Sequence, residues 1–472
     1  MGAGVAGLSV ALLLARDGHR VTLLERDGFD VGPPEDAQLW LRKGIPHFLQ
    51  PHAFIPRGRA ELRKHLPDVY DELLAAGAYD VDLRRKLPGG VSQAGDEDLQ
   101  YLGVRRPLIE WALRRAVRQD ARIDVRAGVQ VTGLQVGRGR VAGVEVDGSN
   151  LDVDLVVDSL GRRTPTGRWL AAAGFDAPDV ESSDCGVVYY SRYYRVRPGF
   201  ELPDGPWLLS PRGDLGYMGY ATFPGDNGTF SALLAVPPGQ PEWRVFKEAA
   251  VFEAAVAQIP ALRLWVDPDG VEPITDVLPM AGLRNSFRHF DATSAVGFVP
   301  IGDALSHTDP SLAHGLSFGL IQAAELATAL GQHNDSEDAI SAYVTAVSPG
   351  LRERYDYLTA MDEQRLRMWM GDAIDFANRD GAYALFSLQA AGAAAMRDPD
   401  VFRVFVRRIG LLDSTRVLDS DLELQRRIEI LFAELLAAKR PPAGPTREDM
   451  LALASAAEGS GPRLGDRRGP ER

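Results

Sequence analysis

Glycines at positions 2, 4 and 7 stand at the spacing G-x-G-x-x-G, and an acid, Glu25, closes the apolar stretch that follows. Between them come an apolar helical run from Leu8 to Ala15, a turn at Asp17-Gly18 and a short strand over Val21 to Leu24. Gly2 permits a tight turn, Gly4 lets the backbone approach a pyrophosphate, and Gly7 lets the helix pack closely on a sheet. The helix N-terminus offers free N–H groups and a positive dipole end to phosphate. An acid at the end of the second strand can hydrogen-bond an adenosine ribose. The glycines alone are weak evidence. Followed by helix, turn, strand and acid, they predict dinucleotide binding. The motif should also follow an apolar strand, yet Met1 directly precedes Gly2. The first strand is therefore expected to be missing from this sequence. A start codon assigned too late is the favoured explanation, over a protein that lacks a core strand.

A second strand–loop–helix unit lies near residue 300. An apolar strand over Thr293 to Ile301 runs into Gly302-Asp303-Ala304-Leu305-Ser306-His307-Thr308-Asp309-Pro310, and an apolar helix follows from Gly315 to Leu330. Asp309 suits an N-cap and Pro310 a first turn. The loop carries an acid, and the helix N-terminus could face the electron-rich edge of a ligand. Arg105 and Arg106 precede a third apolar helix (Leu108, Ile109, Ala112, Leu113, Val117). They read either as solvated charges or as a phosphate or flavin contact.

The elements that must position these groups are legible in outline. The 472 residues suggest two or three domains. At 45% apolar and 25% charged, the composition is that of a globular protein, and a net charge of −13 argues against nucleic acid as the main partner. One cysteine, Cys185, excludes a disulfide framework and a multi-cysteine metal site. The eight histidines show no metal-ligand spacing, so no metal is expected. No signal peptide or spanning segment is evident, which points to the cytoplasm.

Residues 26–57 read as a loop-rich excursion, and Gly58 to Gly77 as one amphipathic helix. Residues 122–158 alternate as strands, with a hairpin turn at Asp147-Gly148. The apolar run Leu155 to Asp158 ends in Ser159-Leu160-Gly161-Arg162-Arg163, a loop at a strand's carboxyl end, where open α/β sheets bind ligands. Residues 164–290 read as a mostly antiparallel sheet, with Tyr189, Tyr190, Tyr193 and Tyr194 either lining a pocket or packing within the sheet. The expected fold class is α/β. A Rossmann-like FAD-binding domain occupies residues 1–163 and 291–335, interrupted by an antiparallel-sheet substrate domain at 164–290. A helical region covers 336–440 and a disordered tail 441–472, with a short helix over Met450 to Ala457. The stripe Leu422, Leu424, Ile428, Leu431, Leu435 and Leu436 fits packing across the protein better than weak membrane-surface contact.

Four motifs make the chain resemble the FAD-dependent monooxygenases of the p-hydroxybenzoate hydroxylase fold, most closely the bacterial branch related to polyether and squalene epoxidases. They are GAGVAG with Glu25; RKGIPHFLQPHA at 42–53; RRPLIEWALRR at 105–115; and DSLGRR at 158–163 with GDALSHTDP at 302–310. By this resemblance Gly2, Gly4, Ala6 and Gly7 would hold the FAD pyrophosphate, and Glu25, with Arg26 and Arg42 nearby, the adenosine side. Arg106 would contact the cofactor, and Gly302 and Asp303 its ribityl and pyrophosphate portion. Pro310 would stand beside the isoalloxazine ring. Backbone N–H groups of Ala313, His314, Gly315 and Leu316 would face the flavin N1–O2 edge, where a helix N-terminus stabilises negative charge by about 0.3–1 kcal/mol. The family's small run after the proline is replaced here by Ala313-His314-Gly315-Leu316. Asp158 is followed by Ser159 rather than glycine, so electrons from NADPH or NADH would arrive directly or through a separate flavin reductase.

The implied reaction is oxygen transfer from a flavin C4a-hydroperoxide to an alkene or aromatic ring of an apolar small molecule, an epoxidation or a hydroxylation. The cofactor carries the chemistry, so no catalytic residue is assigned. His52, His307 and His314 read as hydrogen-bonding or packing residues. The same fold also hosts halogenases and prenyl reductases. The halogenase W-x-W-x-I-P motif is absent from all seven tryptophans. A non-catalytic binder of prenylated partners is a further alternative, opposed by the intact Glu25 and Gly302-Asp303.

Overall fold

The apolar run behind the glycines forms helix α1, Val5–Arg16, in the computed structural model, which describes residues 1–40, 42–204, 210–374, 379–438 and 444–460. Strand β1, Val21–Glu25, follows. The stretch expected as one helix over 58–77 is two, α2 (Pro56–His65) and α3 (Pro67–Ala75). Pro67 lacks an N–H and excludes the helical conformation at the preceding residue, and Leu66 accordingly sits at φ −134°, ψ 57°. Strands β2 (Tyr79–Asp82) and β3 (Gln100–Gly103) form an antiparallel ribbon. Helix α4, Arg106–Gln119, then leads to β4, Ile123–Ala127, which pairs parallel with β1.

The alternating stretch folds as a meander of β5 (Val131–Gly137), β6 (Arg140–Val146) and β7 (Ser149–Asp152). Its second turn uses Asp147 and Gly148 at φ 47° and 76°, the left-handed pair that a two-residue hairpin demands. Strand β8, Val156–Asp158, is the predicted buried parallel strand. Met1 and Gly2 lie between β1 and β8. The Gly2 N–H donates to Leu24 O (2.8 Å), the Met1 amine to Val157 O (2.8 Å), and the Ser159 N–H to Met1 O (3.0 Å).

After α5 (Thr166–Ala172) and β9 (Val180–Asp184) comes the antiparallel sheet. Its strands are β10 (Val188–Val196), β11 (Arg212–Asp214), β12 (Gly219–Pro224) and β13 (Thr229–Val236). Helices α6 (Ala249–Gln258) and α7 (Pro260–Arg263) cover it, and β14 (Val271–Pro273) and β15 (Leu278–Met280) complete it. The order is β11-β12-β13-β10-β14, with β15 also on β10. Strand alternation divides the four tyrosines. Tyr190 and Tyr194 pack with Phe230, Trp243 and Phe246 under the covering helices. Tyr189 and Tyr193 point the other way and reach Asp309 and Gln50.

Strand β16 (Arg284–Arg288) pairs with β9. The apolar strand expected over 293–301 is only three residues, β17 (Phe298–Pro300), parallel to β8. It begins after Gly297, which is at φ 83° and so close to Val141 O that a Cβ would lie 2.2 Å away. Strand β18 (Ser306–His307) and helix α8 (His314–Gln332) follow. Asp309 does not cap α8. It caps a single 3-10 turn over Pro310–Leu312, and α8 starts after Ala313 in the left-handed conformation at φ 56°. Pro310 nucleates that turn too early for its residues to join the longer helix.

The C-terminal region is helical: α9 (Ser336–Trp369), α10 (Arg379–Leu385), α11 (Ala391–Ala394), α12 (Pro399–Ile409), α13 (Leu422–Ala437) and α14 (Arg447–Ser460). The α13 stripe is only half packed. Leu424 and Ile428 are buried, but Leu422 and Leu436 are 71% and 69% exposed. The expected short helix near residue 450 is α14, and its Met450 is buried in the cluster behind the antiparallel sheet. Of the expected disordered tail, residues 441–443 and 461–472 lie outside the described residues. Among the described residues, no helix is long and apolar enough to cross a membrane.

Candidate cofactor and substrate site

Helices α1 and α8 start at the same cleft because small residues let them approach. A Cβ at Gly319 or at Gly302 would lie 3.0 Å from Ala6 Cβ. Gly7 packs still closer, since a Cβ there would fall 2.0 Å from Gly2 O. Gly4 and Gly315 differ. A Cβ at Gly4 would meet nothing nearer than Arg106 Nη2 at 3.7 Å, and one at Gly315 nothing nearer than Asp303 Oδ1 at 4.0 Å. Neither helix start carries a side-chain cap or an acid in its first turn, so their free N–H groups suit an anion.

Glu25 and Arg42 brace this cradle from behind. The Glu25 carboxylate accepts the N–H of Ala3 (2.8 Å) and of Asp27 (2.9 Å) and pairs with Arg42. Burial opposes its charge, but Arg42 and the two N–H groups win and hold the carboxyl below its usual range. Arg42 spends its donors on protein: Nε on Glu110, Nη1 on Asp27, Nη2 on Ala3 O and Glu25. Arg26 stays exposed near Gly44. The two arginines before α4 take separate tasks. Arg105 grips Asp226 in the β12–β13 turn. Arg106 lies in the cleft, held by Glu110 at 2.8 Å and by His47 at 3.0 Å.

On the opposite wall, Asp303 bonds His307 Nδ1 at 3.1 Å. Burial disfavours the Asp303 charge, yet His307, His47 and Arg106 outweigh it and keep the carboxyl far below its usual range. Burial and the neighbouring Arg106 push the His47 imidazole down to about 3, and His52 is lowered for the same reasons. His307 Nε2 is buried with no protein partner. Open glycines, uncapped helix starts, a cation and an orphaned imidazole nitrogen around one cleft fit a dinucleotide cofactor. The side chains of His314 and Leu316 turn away from it. His314 is fully buried and bonds Ile409 O at 3.1 Å, and Leu316 joins the core. Asp158 is also committed to protein, bonding Leu160 N–H, Thr164 and Thr166.

A partly open cavity with about 70 Å³ of accessible space lies in front of the turn that starts α8. Leu312 and Ala313 form one wall, Ile55, Leu83, Phe223, Val406 and Ile409 supply apolar surface, and Tyr101, Ser210 and Thr222 add hydroxyls. Arg212 is the one charged residue among those lining it. Burial lowers the Arg212 guanidinium from its usual range, while Tyr101 and Tyr189 support its charge. His47 and Glu110 lie inside the motifs at 42–53 and 105–115 but had no role assigned, although Glu110 stands at the i+4 position from Arg106, and Arg212 carried no sequence signal.

Residues 1–108 match the protein family described as FAD dependent oxidoreductase. The fold as a whole is that of the flavin monooxygenases. PqsL, a probable FAD-dependent monooxygenase from Pseudomonas aeruginosa, superposes with a TM-score of 0.56 at 15% identity, over 78% of this chain and 97% of that one. The match and the fold together define an FAD-dependent oxidoreductase. In sequence, the chain is 28% identical over 461 residues to protein Rv3254 of Mycobacterium tuberculosis, covering 89% of this chain and 90% of that one. It is 25% identical over 379 residues to kynurenine 3-monooxygenase of Xanthomonas campestris pv. campestris, covering 73% and 74%.

Proposed function

We propose that the chain is an FAD-dependent monooxygenase, an epoxidase or hydroxylase, acting on an apolar small molecule. The cavity beside Leu312 and Ala313 carries this reading. Its mainly apolar lining with a few convergent polar groups suits a small ligand, and it adjoins the turn from which α8 would face the flavin edge. In this reading residues 1–163 and 291–335 bind FAD, residues 164–290 supply the substrate sheet, and residues 336–440 cover it. The N–H groups at the start of α1 hold the pyrophosphate, with Arg106 and Asp303 on its flanks. Pro310 and the N–H groups of Ala313 to Leu316 line the flavin. Bound and reduced, FAD supplies the oxygen chemistry. The apolar walls exclude water, and Arg212, Tyr101 and Ser210 orient the substrate. The epoxidase-related branch is supported by the four motifs that carry the resemblance. NADPH or NADH supplies electrons, directly or through a flavin reductase, and the single, buried cysteine suits a reducing cytoplasm.

The purified protein should show flavin absorption near ~450 nm and, with substrate and NAD(P)H, incorporate label from labelled O₂ into the product. Substrate reduction without oxygen uptake would favour a prenyl reductase, halide-dependent product a halogenase, and absence of flavin a binding protein.

A further inference from the structure

A buried charge cluster lies directly behind the turn that carries Pro310. Asp309 from that turn and Asp362 from α9 both bond Nη2 of Arg365, each at 2.8 Å. The same nitrogen donates to Cys185 O at 2.7 Å. Tyr189 OH (2.8 Å) and the Ser311 N–H (2.7 Å) donate to the other Asp309 oxygen. Asn285 closes the ring. Its Oδ1 accepts the Asp309 N–H at 2.7 Å, and its Nδ2 donates to Asp362 at 2.8 Å. Asp309 and Asp362 are 1% and 2% exposed.

Two carboxyl groups thus share one guanidinium. Among the described residues, no second cation pairs with either acid. In a dry site, like charges this close cannot both ionise. Asp309 accepts from Tyr189, Ser311 and Arg365, whereas Asp362 accepts from Arg365 and one amide, so the hydrogen bonds favour charge on Asp309. Burial and the adjacent Asp309 push the Asp362 carboxyl far up, while Arg365 holds Asp309 low against its own burial. The turn they grip ends at Ala313, whose left-handed backbone at φ 56° is one L side chains rarely adopt. Such a turn needs bracing, and its geometry sets where the N–H groups of α8 point.

We propose that Arg365, an ionised Asp309 and a protonated Asp362 are positioning residues for the flavin, locking the 309–313 turn so that the start of α8 faces the ring. This rests on the FAD reading above. The two acids should respond differently to amide replacement. Asp362→Asn keeps the neutrality of the acid but leaves one oxygen to accept from both Arg365 and Asn285, so it should weaken FAD and shift the flavin reduction potential less than Asp309→Asn does. Asp309→Asn and Arg365→Met should weaken FAD roughly tenfold, the scale of one favourable charge–helix interaction, and lower the reduction potential, because the anionic reduced ring loses its donors. A merely structural role would lower thermal stability and leave the potential unmoved, which would overturn the proposal. Asp362→Asn as damaging as Asp309→Asn would overturn it as well. Infrared spectra of the apo-protein supply a check that needs no flavin: the carboxylic-acid C=O stretch should be present and should vanish in Asp362→Asn, and its absence from the unmodified protein refutes the shared proton. Unmodified protein that takes up no FAD would instead defeat the cofactor reading itself.

Discussion

Gly7→Ala is expected to leave the protein without FAD and far less stable. A Cβ at this position falls 2.0 Å from Gly2 O and 2.4 Å from Ser159 Oγ. Gly2 cannot retreat, because its N–H is bonded to Leu24 O and its carbonyl accepts from Ser159. Helix α1 must therefore shift bodily away from the sheet. Overpacking of this kind costs about 1–3 kcal/mol or more, and it dismantles the loop that would approach the pyrophosphate. Gly4→Ala isolates the second effect. Its Cβ has open space to 3.7 Å, so the apo-protein should melt within ~2 °C of the unmodified chain while FAD affinity falls at least tenfold. Calorimetry and FAD titration of both variants check this. Normal flavin content in Gly7→Ala would contradict the packing argument, and unchanged affinity in Gly4→Ala would contradict the placement of the pyrophosphate.

Asp226→Ala should act on stability rather than on chemistry. Asp226 is 1% exposed in the β12–β13 turn and grips Arg105 through Nη2 (2.6 Å), Nε (3.0 Å) and the backbone N–H (2.9 Å). Arg105 immediately precedes α4, so this pair ties the antiparallel sheet to the helix that presents Arg106. Removing one partner of a buried pair costs about 3–5 kcal/mol, because the other charge is left uncompensated. That is a large share of a typical folding stability of ~5–15 kcal/mol. Chemical denaturation should show the loss, and the double variant Asp226→Ala/Arg105→Met should recover part of it. A double variant no better than the single would show that packing, not charge, sets the cost.

Acid should weaken the fold from two directions. Burial and Arg106 keep His47 neutral down to about 3, whereas an unfolded histidine takes up a proton below ~6.5. The unfolded state therefore binds more protons between these values, and stability falls as the pH drops below ~6.5. Arg105 keeps Asp226 ionised below the ordinary range despite its burial. Its contribution is intact above the unfolded value near ~3.9 and is lost as the pH falls through the lowered one. The denaturation midpoint should thus decline first below ~6.5 and again below ~4. His47→Gln should shrink the upper phase, to which the buried His52 and His314 also contribute, and leave the lower phase unchanged.

The sequence by itself determined the elements and the cofactor class. Glycine spacing, the acid at the end of β1, period-two alternation in the sheet and the strand–loop–helix unit around Asp303 are local patterns, and local sterics and hydrogen bonding decide them. Proline placement is a local signal too: Pro67 divides the expected single helix, and Pro310 sets a separate turn before α8. Only the tertiary structure decided the partners. Arg42, Arg105, Arg212 and Arg365 are alike in sequence. One becomes an internal counter-ion for Glu25 and Glu110, one a brace on Asp226, one part of a cavity wall, and one the shared cation of two buried acids. Periodicity tells which face a side chain occupies but not what lies across from it. Two of these pairings, Arg365 to Asp309 and Arg105 to Asp226, join residues 56 and 121 positions apart. They exist because strand register and helix packing bring distant segments together, and burial then permits only those charges that find one another.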